Sequence, residues 1–331
     1  MKIIIRANGG TSIGMGHLMR CTVLAQELST FATVVFVCED KEEFASGINF
    51  LISKNYQVCK LAPETFIQKL SAIKADALIT DSYAVTEDYF DLLKDAFPVT
   101  GYIDDTNLLR FNVDFLLNQN IYADTLEYNV PANTTKLLGS DYLLLREEFH
   151  NLPAHDIAPE IKNVLITLGG ADNNNLTSEL IKEVTERYPK LIFHVVVGPS
   201  FIHADKLDEL ASNTVLLYSK PKMSKLMQKV DLAISACGST IYELASCGIP
   251  TIGIVVANNQ RQIASKMHDL QLLKYANNVK DIAAIIELYN YQVRYNMSLK
   301  AQRTFHSDGA KNAADKIKCL ILDHSLFGTD K

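Results

Sequence analysis

The 331-residue sequence has no dense run of lysine and arginine, no apolar stretch of membrane-spanning length and no pair of cysteines in C-x-x-C spacing. The first absence, at a formal net charge of -6, removes the electrostatic footprint that a nucleic-acid backbone or an anionic membrane surface demands. Neither partner is expected. The second leaves no segment to cross a bilayer, and the opening "MKIIIRANGG" holds a run of only three isoleucines, too short for a signal-peptide core. A cytoplasmic protein without membrane insertion is the expectation. The third disfavours a zinc site and a disulfide framework, so Cys21, Cys38, Cys59, Cys237, Cys247 and Cys319 read as buried, reduced thiols. No metal and no cofactor is implied. What is present is 48% apolar and 21% charged, the profile of a soluble globular chain, and its length calls for two domains.

Short β-branched runs alternate with helical patterns from the start: "KIIIRA", residues 18–28, "TVVFVC", "QVCKLA", "TFIQKLSAIK", "ALIT" and "VTGYID". Strands without polar gaps are buried on both faces, which predicts an α/β domain with a parallel sheet. The rhythm restarts at "NVLITLGG" and continues through "LIFHVVVG", "TVLLYS", "DLAIS" and "TIGIVV", which predicts a second α/β domain. Between them "HNLPAHDIAPEIK" has two prolines and no clear period, placing the linker near residues 150–160 and the domains at 1–155 and 156–331. Residues 308–322 read as a helix capped by Asp308. Open α/β sheets bind ligands at the carboxyl ends of their strands, so the informative loops are "NGGTSIGMGH", "DSY", "GGADNNN" and "ACGSTIYE".

In the first loop, Gly9, Gly10, Gly14 and Gly16 supply a backbone able to turn sharply and approach a ligand, while Leu18, Cys21, Ala25 and Leu28 stripe the helix that follows. His17 falls in that helix's first turn, beside its unpaired amides and the positive end of its dipole, where an imidazole is placed to accept a proton. A lone histidine at a helix start is also an ordinary packing or surface residue, and both readings stand at this point. A dinucleotide fingerprint fits less well, because its third small residue would fall at position 19, where Met19 stands.

Gly238, Ser239 and Thr240 follow a strand and open a helix, offering amides and two hydroxyls to a phosphate. Glu243, one turn beyond Ser239, is spaced to accept from ribose hydroxyls; the alternative is a plain Ser/Thr cap with Glu243 completing something like a capping box. Asn258, Asn259 and Gln260 reach another helix start, where amides suit sugar hydroxyls or acetamido groups and where Asn is also a routine cap. Asp81 and Tyr83 end a strand and could face a cleft. Asp104 and Asp105 form a carboxylate pair suited to a metal or to acid–base work, but turn formation is the commoner role and is the expectation here.

Taken together, "RANGGTSIGMGHLMRCTVLAQEL", "IDD" with "FLLN", "LLLREEF", "LGGADNNN", "DLAISACGSTIYELASCGIPT", "NNQ" and "SDGA" resemble the PseG/SpsG group over nearly the whole chain. Its best-known members are UDP-2,4-diacetamido-2,4,6-trideoxy-β-L-altropyranose hydrolases of pseudaminic acid biosynthesis; the SpsG branch is linked to spore coat polysaccharide. The group is similar in turn to MurG-type glycosyltransferases, which implies the GT-B arrangement of two Rossmann-like domains with an interdomain cleft and the nucleotide held mainly by the second. The resemblance implies His17 as general base on water, Gly238, Ser239, Thr240 and Glu243 at the diphosphate and ribose, and Asn259 and Gln260 near the sugar. Gly14, Gly16, Tyr83 and Asn175 complete the expected substrate contacts. Asn8 departs from the group, many of whose members have Asp in an "R-A-D" opening, so a charge is missing there.

The expected activity is hydrolysis of a UDP-linked diacetamido-trideoxyhexose at the anomeric C–O bond. UDP is a good leaving group, so a base on water and a receptor for the departing charge suffice. Two other readings share the same nucleotide site: a MurG-like glycosyltransferase that deprotonates an acceptor hydroxyl, and a non-catalytic nucleotide-sugar sensor in which His17 only packs.

Overall fold

The computed structural model describes residues 1–170, 172, 175–198, 201, 207, 212–218 and 222–327. The chain divides into two compact units, the first formed by Met1–Arg146 together with the segment from Asp308 onward, the second by Glu147–Ser307.

The strands of the first unit are β1 (Lys2–Ala7), β2 (Thr33–Glu39), β3 (Gln57–Leu61), β4 (Ala77–Asp81), β5 (Val99–Ile103), β6 (Phe115–Asn118) and β7 (Thr135–Leu138). They form one parallel sheet in the order β3-β2-β1-β4-β5-β6-β7. Helices α1 (Gly16–Leu28), α2 (Ala45–Ser53), α3 (Phe66–Ser71) and α4 (Glu87–Ala96) connect the first five strands. Successive side chains of β1 point to opposite faces, and both faces are covered: Ile3 and Ile5 pack in one core with Leu18, Cys21 and Leu28 of α1, while Ile4 packs in another with Leu70, Leu78 and Phe90. That double burial is why β1 is a continuous isoleucine run, each fully buried side chain stabilising by roughly 1.5–3 kcal/mol.

The second unit carries β8 (Asn163–Thr167), α5 (Leu176–Arg187), β9 (Ile192–Val196), β10 (Thr214–Leu217), α6 (Met223–Met227), β11 (Leu232–Ala236), α7 (Thr240–Ser246) and β12 (Thr251–Ile254). It continues with α8 (Arg261–Asp269), β13 (Lys274–Ala276), α9 (Val279–Glu287) and α10 (Tyr291–Thr304). Its sheet is parallel as well, in the order β10-β9-β8-β11-β12-β13.

The unit limits differ from the sequence expectation at both crossings. The first unit ends at Arg146, because Phe149 is buried in the second unit's core with Leu165, Met227 and Val230. The final helix, α11 (Gly309–Phe327), joins the first unit rather than the second. Ala310, Ala313, Ala314, Ile317 and Ile321 recur at helical spacing and share a core with Leu18, Leu24 and Ile3. Gly309 permits that seating, since a Cβ there would stand 2.3 Å from the Leu143 amide nitrogen. Four cysteines are buried as expected, but Cys59 is half-buried and Cys319 is exposed on α11. Among the described residues no helix is long and apolar enough to cross a membrane.

Candidate active site

A doubly wound sheet gathers ligand-binding loops where its strand order reverses. In the first unit that point lies between β1 and β4, and in the second between β8 and β11. The four loops singled out in the sequence follow these four strands.

In the first unit the loop after β1 is shaped by close backbone approach. A Cβ on Gly10 would stand 1.9 Å from the Glu43 carbonyl oxygen, and Gly14 has φ +73, so neither position suits a side chain. Gly10 donates its amide to the Gly14 carbonyl at 3.0 Å, closing the turn that delivers Gly16 and His17 to the start of α1. A Cβ at Gly14 or Gly16 would meet no protein atom within 4 Å.

His17 is buried, and its Nδ1 lies 2.6 Å from Oδ1 of Asp81, the last residue of β4. Asp81 is completely enclosed and receives more: Arg20 donates Nε to Oδ2 and Nη2 to Oδ1, both at 2.6 Å, and the Cys21 thiol donates to Oδ2 at 3.3 Å. Burial alone would raise the Asp81 carboxyl, but the Arg20 guanidinium and the hydrogen bonds from Arg20 and His17 outweigh it and hold the group well below the usual carboxylate range. An ionised Asp81 only accepts, so the proton of the short contact sits on Nδ1, and in the neutral imidazole it is the Nε2 lone pair that is left to accept. The approach of Arg20 Nη2 to Nδ1 at 3.2 Å is then a contact between two donors, not a hydrogen bond.

Tyr83 packs edge-on to the His17 ring at 4.6 Å and donates its hydroxyl to Asp105 Oδ2 at 2.7 Å. Burial and the neighbouring Asp105 push that phenol well above its ordinary value, so it remains a donor. Arg20 donates Nη1 to the same Asp105 oxygen at 3.0 Å. The turn expected of the Asp104–Asp105 pair belongs to Asp104 alone, which accepts from the amides of Thr106 at 3.1 Å and Asn107 at 2.8 Å. Asp105 instead joins the charged network. Arg20 was not singled out in the sequence; its place one turn after His17 on the same helical face was the available signal.

Asn8 is likewise integrated into the protein. Its Nδ2 donates to Glu39 Oε1 at 3.1 Å, and its Oδ1 accepts from the Glu39 amide at 2.9 Å, while Arg6 donates Nη2 to the same carboxylate at 3.1 Å. An aspartate at this position would set a second carboxylate against Glu39, so the exchange fits its surroundings.

In the second unit, Ser239 is the exposed N-cap residue of α7, and its side chain makes no cap bond. Thr240 opens the helix, and Tyr242 and Leu244 anchor it in the core, with Glu243 half-buried between them. The loop after β12 reaches the same place: Gln260 Nε2 lies 3.7 Å from where a Cβ on Gly238 would stand, and Gln260 Oε1 accepts from the Val256 amide at 3.1 Å. Asn259 is exposed in the short turn that leads into α8. After β8, Asp172 accepts from the amides of Leu176 at 2.9 Å and Thr177 at 2.7 Å, so a carboxylate already fills the first turn of α5. Asn175 is held beside it in a left-handed conformation, φ 53, its Oδ1 accepting from Ser178 Oγ at 2.7 Å. Ala171, Asn173 and Asn174 of the "GGADNNN" loop lie outside the described residues. Among the described residues no group of three or more His, Cys, Asp and Glu side chains is arranged to hold a metal ion.

Residues 163–313 match the glycosyltransferase family 28 C-terminal domain. An uncharacterized protein of Methanocaldococcus jannaschii is 28% identical over 279 residues, 79% of this chain but only 57% of that protein, so the chain spans little more than half of that relative's length. The UDP-2,4-diacetamido-2,4,6-trideoxy-beta-L-altropyranose hydrolase of Campylobacter jejuni is 26% identical over 270 residues, 80% of this chain and 95% of the relative. The spore coat polysaccharide biosynthesis protein SpsG of Bacillus subtilis is 25% identical over 285 residues, 81% of each. Among solved structures, Acinetobacter baumannii MurG superposes with a TM-score of 0.70 at 14% identity, over 96% of this chain and 99% of MurG, a likeness of fold. The chain is thus similar to the PseG and SpsG proteins over most of its length, has the two Rossmann-like domains of the GT-B fold, and matches the family 28 C-terminal domain over residues 163–313.

Proposed function

We propose that the chain hydrolyses a UDP-linked diacetamido-trideoxyhexose at the anomeric C–O bond, releasing UDP and the free sugar for nonulosonic acid biosynthesis. The observation that carries the reading is the 2.6 Å contact between His17 Nδ1 and the enclosed Asp81 carboxylate, which aims the imidazole as a base. His17 Nε2 takes a proton from water as the water oxygen bonds to the anomeric carbon and the bond to the UDP oxygen breaks, the electron pair leaving with UDP. Gly238, Ser239 and Thr240 receive the diphosphate charge at the start of α7, Glu243 accepts from the ribose, and Asn259 and Gln260 serve the sugar. Gly14, Gly16, Tyr83 and Asn175 complete the contacts. Positioned base catalysis contributes about 10²–10⁴-fold. The likeness to the Campylobacter jejuni hydrolase over 95% of that protein favours water as the nucleophile.

The test is product analysis of the purified protein with the UDP-sugar in EDTA and ¹⁸O-water. Equal UDP and free sugar, with the label in the sugar, is expected; label in UDP would place the attack at phosphorus. The family 28 match and the MurG-like fold favour one second reading, transfer of the sugar to an acceptor hydroxyl. A large rise in UDP release on adding a sugar or lipid acceptor would select it over hydrolysis.

A further inference from the structure

The side chains around His17 form a closed ring of contacts within the first unit. His17 meets Asp81, Asp81 meets Arg20, Arg20 meets Asp105, Asp105 meets Tyr83, and the Tyr83 ring returns to the His17 ring. The five residues come from α1 and from the segments that end β4 and β5, so no single element fixes them. Asp81 is the hinge of the ring. Its side chain reaches His17 through Oδ1 alone, and a carboxylate free to turn about its last bond would present that oxygen at many angles. Arg20 removes this freedom, because Nε and Nη2 form a planar fork that takes one carboxylate oxygen each, both at 2.6 Å. The Cys21 thiol, a weak donor at 3.3 Å, cannot supply an equivalent grip. The fork is anchored at its other end by Asp105, itself held by the Tyr83 hydroxyl.

We propose that Arg20 is a positioning residue for the His17 base: gripping Asp81 through Nε and Nη2 and Asp105 through Nη1, it holds the Asp81 carboxylate at the angle that keeps a proton on Nδ1 of His17 and leaves the Nε2 lone pair to accept. Its place three residues after His17 on α1 makes the grip local to the base. Arg20 Nη2 stands 3.2 Å from Nδ1, so the fork also sets a cation beside the ring on the side away from Nε2. Lysine cannot replace this arrangement, since a single ammonium on a flexible stem cannot meet both oxygens in one plane. The catalytic part of the proposal rests on the hydrolase reading above; the tautomer part does not.

The experiment therefore reads both. Imidazole-¹⁵N-labelled protein is compared as wild type, Arg20→Lys and Arg20→Ala, with His17→Asn identifying the His17 signals, and the same proteins are assayed for hydrolysis and titrated with UDP. The wild type is expected to show the Nδ1–H tautomer at His17; both Arg20 variants are expected to mix the two tautomers, lower kcat about 10²-fold and leave UDP affinity unchanged. Arg20→Lys keeps a cation beside Asp81, so it remains informative if Arg20→Ala fails to fold. A wild-type tautomer and a wild-type kcat in Arg20→Lys would overturn the proposal. If the wild type does not hydrolyse the UDP-sugar, the functional reading fails by itself, and the ¹⁵N pattern still decides the role of Arg20.

Discussion

The two switch points are built to opposite specifications. At the first, buried side chains bind one another: Asp81 accepts from His17, Arg20 and Cys21 before any substrate arrives. At the second, Ser239 is exposed and leaves its helix start without a side-chain cap, while Gln260 approaches a glycine rather than a charged partner. The difference follows from the tasks proposed for them. A base acts only from a narrow range of angles, so its surroundings must be locked in advance. A receptor for an anion is completed by the anion, so donors committed to protein partners would be wasted there. The loop after β8 marks the boundary of this rule, since Asp172 already fills the first turn of α5 and an anion there would meet a carboxylate.

The most direct way to break the comparison is to remove the proposed base. His17→Asn is expected to lower kcat by about 10²–10⁴-fold while the dissociation constant for UDP, measured by calorimetry, stays within about twofold of wild type. Loss of UDP binding in a folded His17→Asn protein would mean that the first switch point holds the nucleotide, and the division of labour would be reversed.

The second prediction tests whether the first switch point is locked by charge. Asp81→Asn leaves the Arg20 guanidinium facing a neutral amide, and it is expected to destabilise the protein by about 3 kcal/mol in denaturant titration, the low end for a broken buried pair because Asp105 still meets Arg20. The sign with pH follows from the depressed Asp81 carboxyl. A group whose folded value lies below its unfolded value of about 3.9 contributes fully above that pH and loses its contribution as the pH falls toward the folded value. The stability gap between wild type and Asp81→Asn should therefore be constant near neutrality and close below about pH 4. A gap that widens in acid would show that Asp81 is not held as an anion.

How far this was legible in the sequence depended on whether a feature was local. β1, β2, β4 and β5 of the first sheet and β8, β9, β11 and β12 of the second are β-branched or apolar runs, and the loops that follow them could be placed from the alternation alone. β6, β7 and β13 were not recognised as strands, because "FLLN", "TKLL" and "KYA" are too short to show a period and owe their conformation to pairing with a neighbouring strand. The return of α11 to the first unit was hidden by its alanines, whose apolar stripe matches either core. At the site, His17 and Asp81 were visible as loop residues, yet their contact spans 64 positions, and the Arg20–Asp105 pair spans 85. Only the parallel register of β1 with β4 and of β4 with β5 brings them together. Asp105 was read as a turn residue together with Asp104 because that is the commoner role of such aspartates, and sequence chemistry does not tell which of two adjacent carboxylates turns the chain.

A third prediction sharpens the comparison from the other unit. Glu243→Ala is expected to weaken UDP by about ten- to a hundredfold, corresponding to about 1.5–3 kcal/mol for a lost charged acceptor, with kcat at saturating substrate little changed. Unaltered UDP affinity with turnover abolished would transfer Glu243 from the nucleotide to the chemistry.

The smallest expected effect concerns the loop that leads to His17, where glycines of two kinds stand close together. Gly10 is required by the fold, since a Cβ there would lie 1.9 Å from the Glu43 carbonyl oxygen, a backbone atom with no rotamer to yield. Gly16 is different. It is the first residue of α1, and a Cβ on it would meet no protein atom within 4 Å. In a helical conformation alanine restricts the unfolded chain more than glycine does, so Gly16→Ala should stabilise the protein by about 0.4–1 kcal/mol. If the open space beside Gly16 is where substrate approaches the base, the same methyl group must raise KM, and the variant should be more stable and a poorer enzyme at once. Thermal denaturation and steady-state kinetics on this one protein separate the cases. A raised Tm with an unchanged KM would remove Gly16 from the substrate contacts and leave its glycine without a role that binding explains, whereas a lowered Tm would show that the start of α1 is more tightly enclosed than the 4 Å clearance indicates.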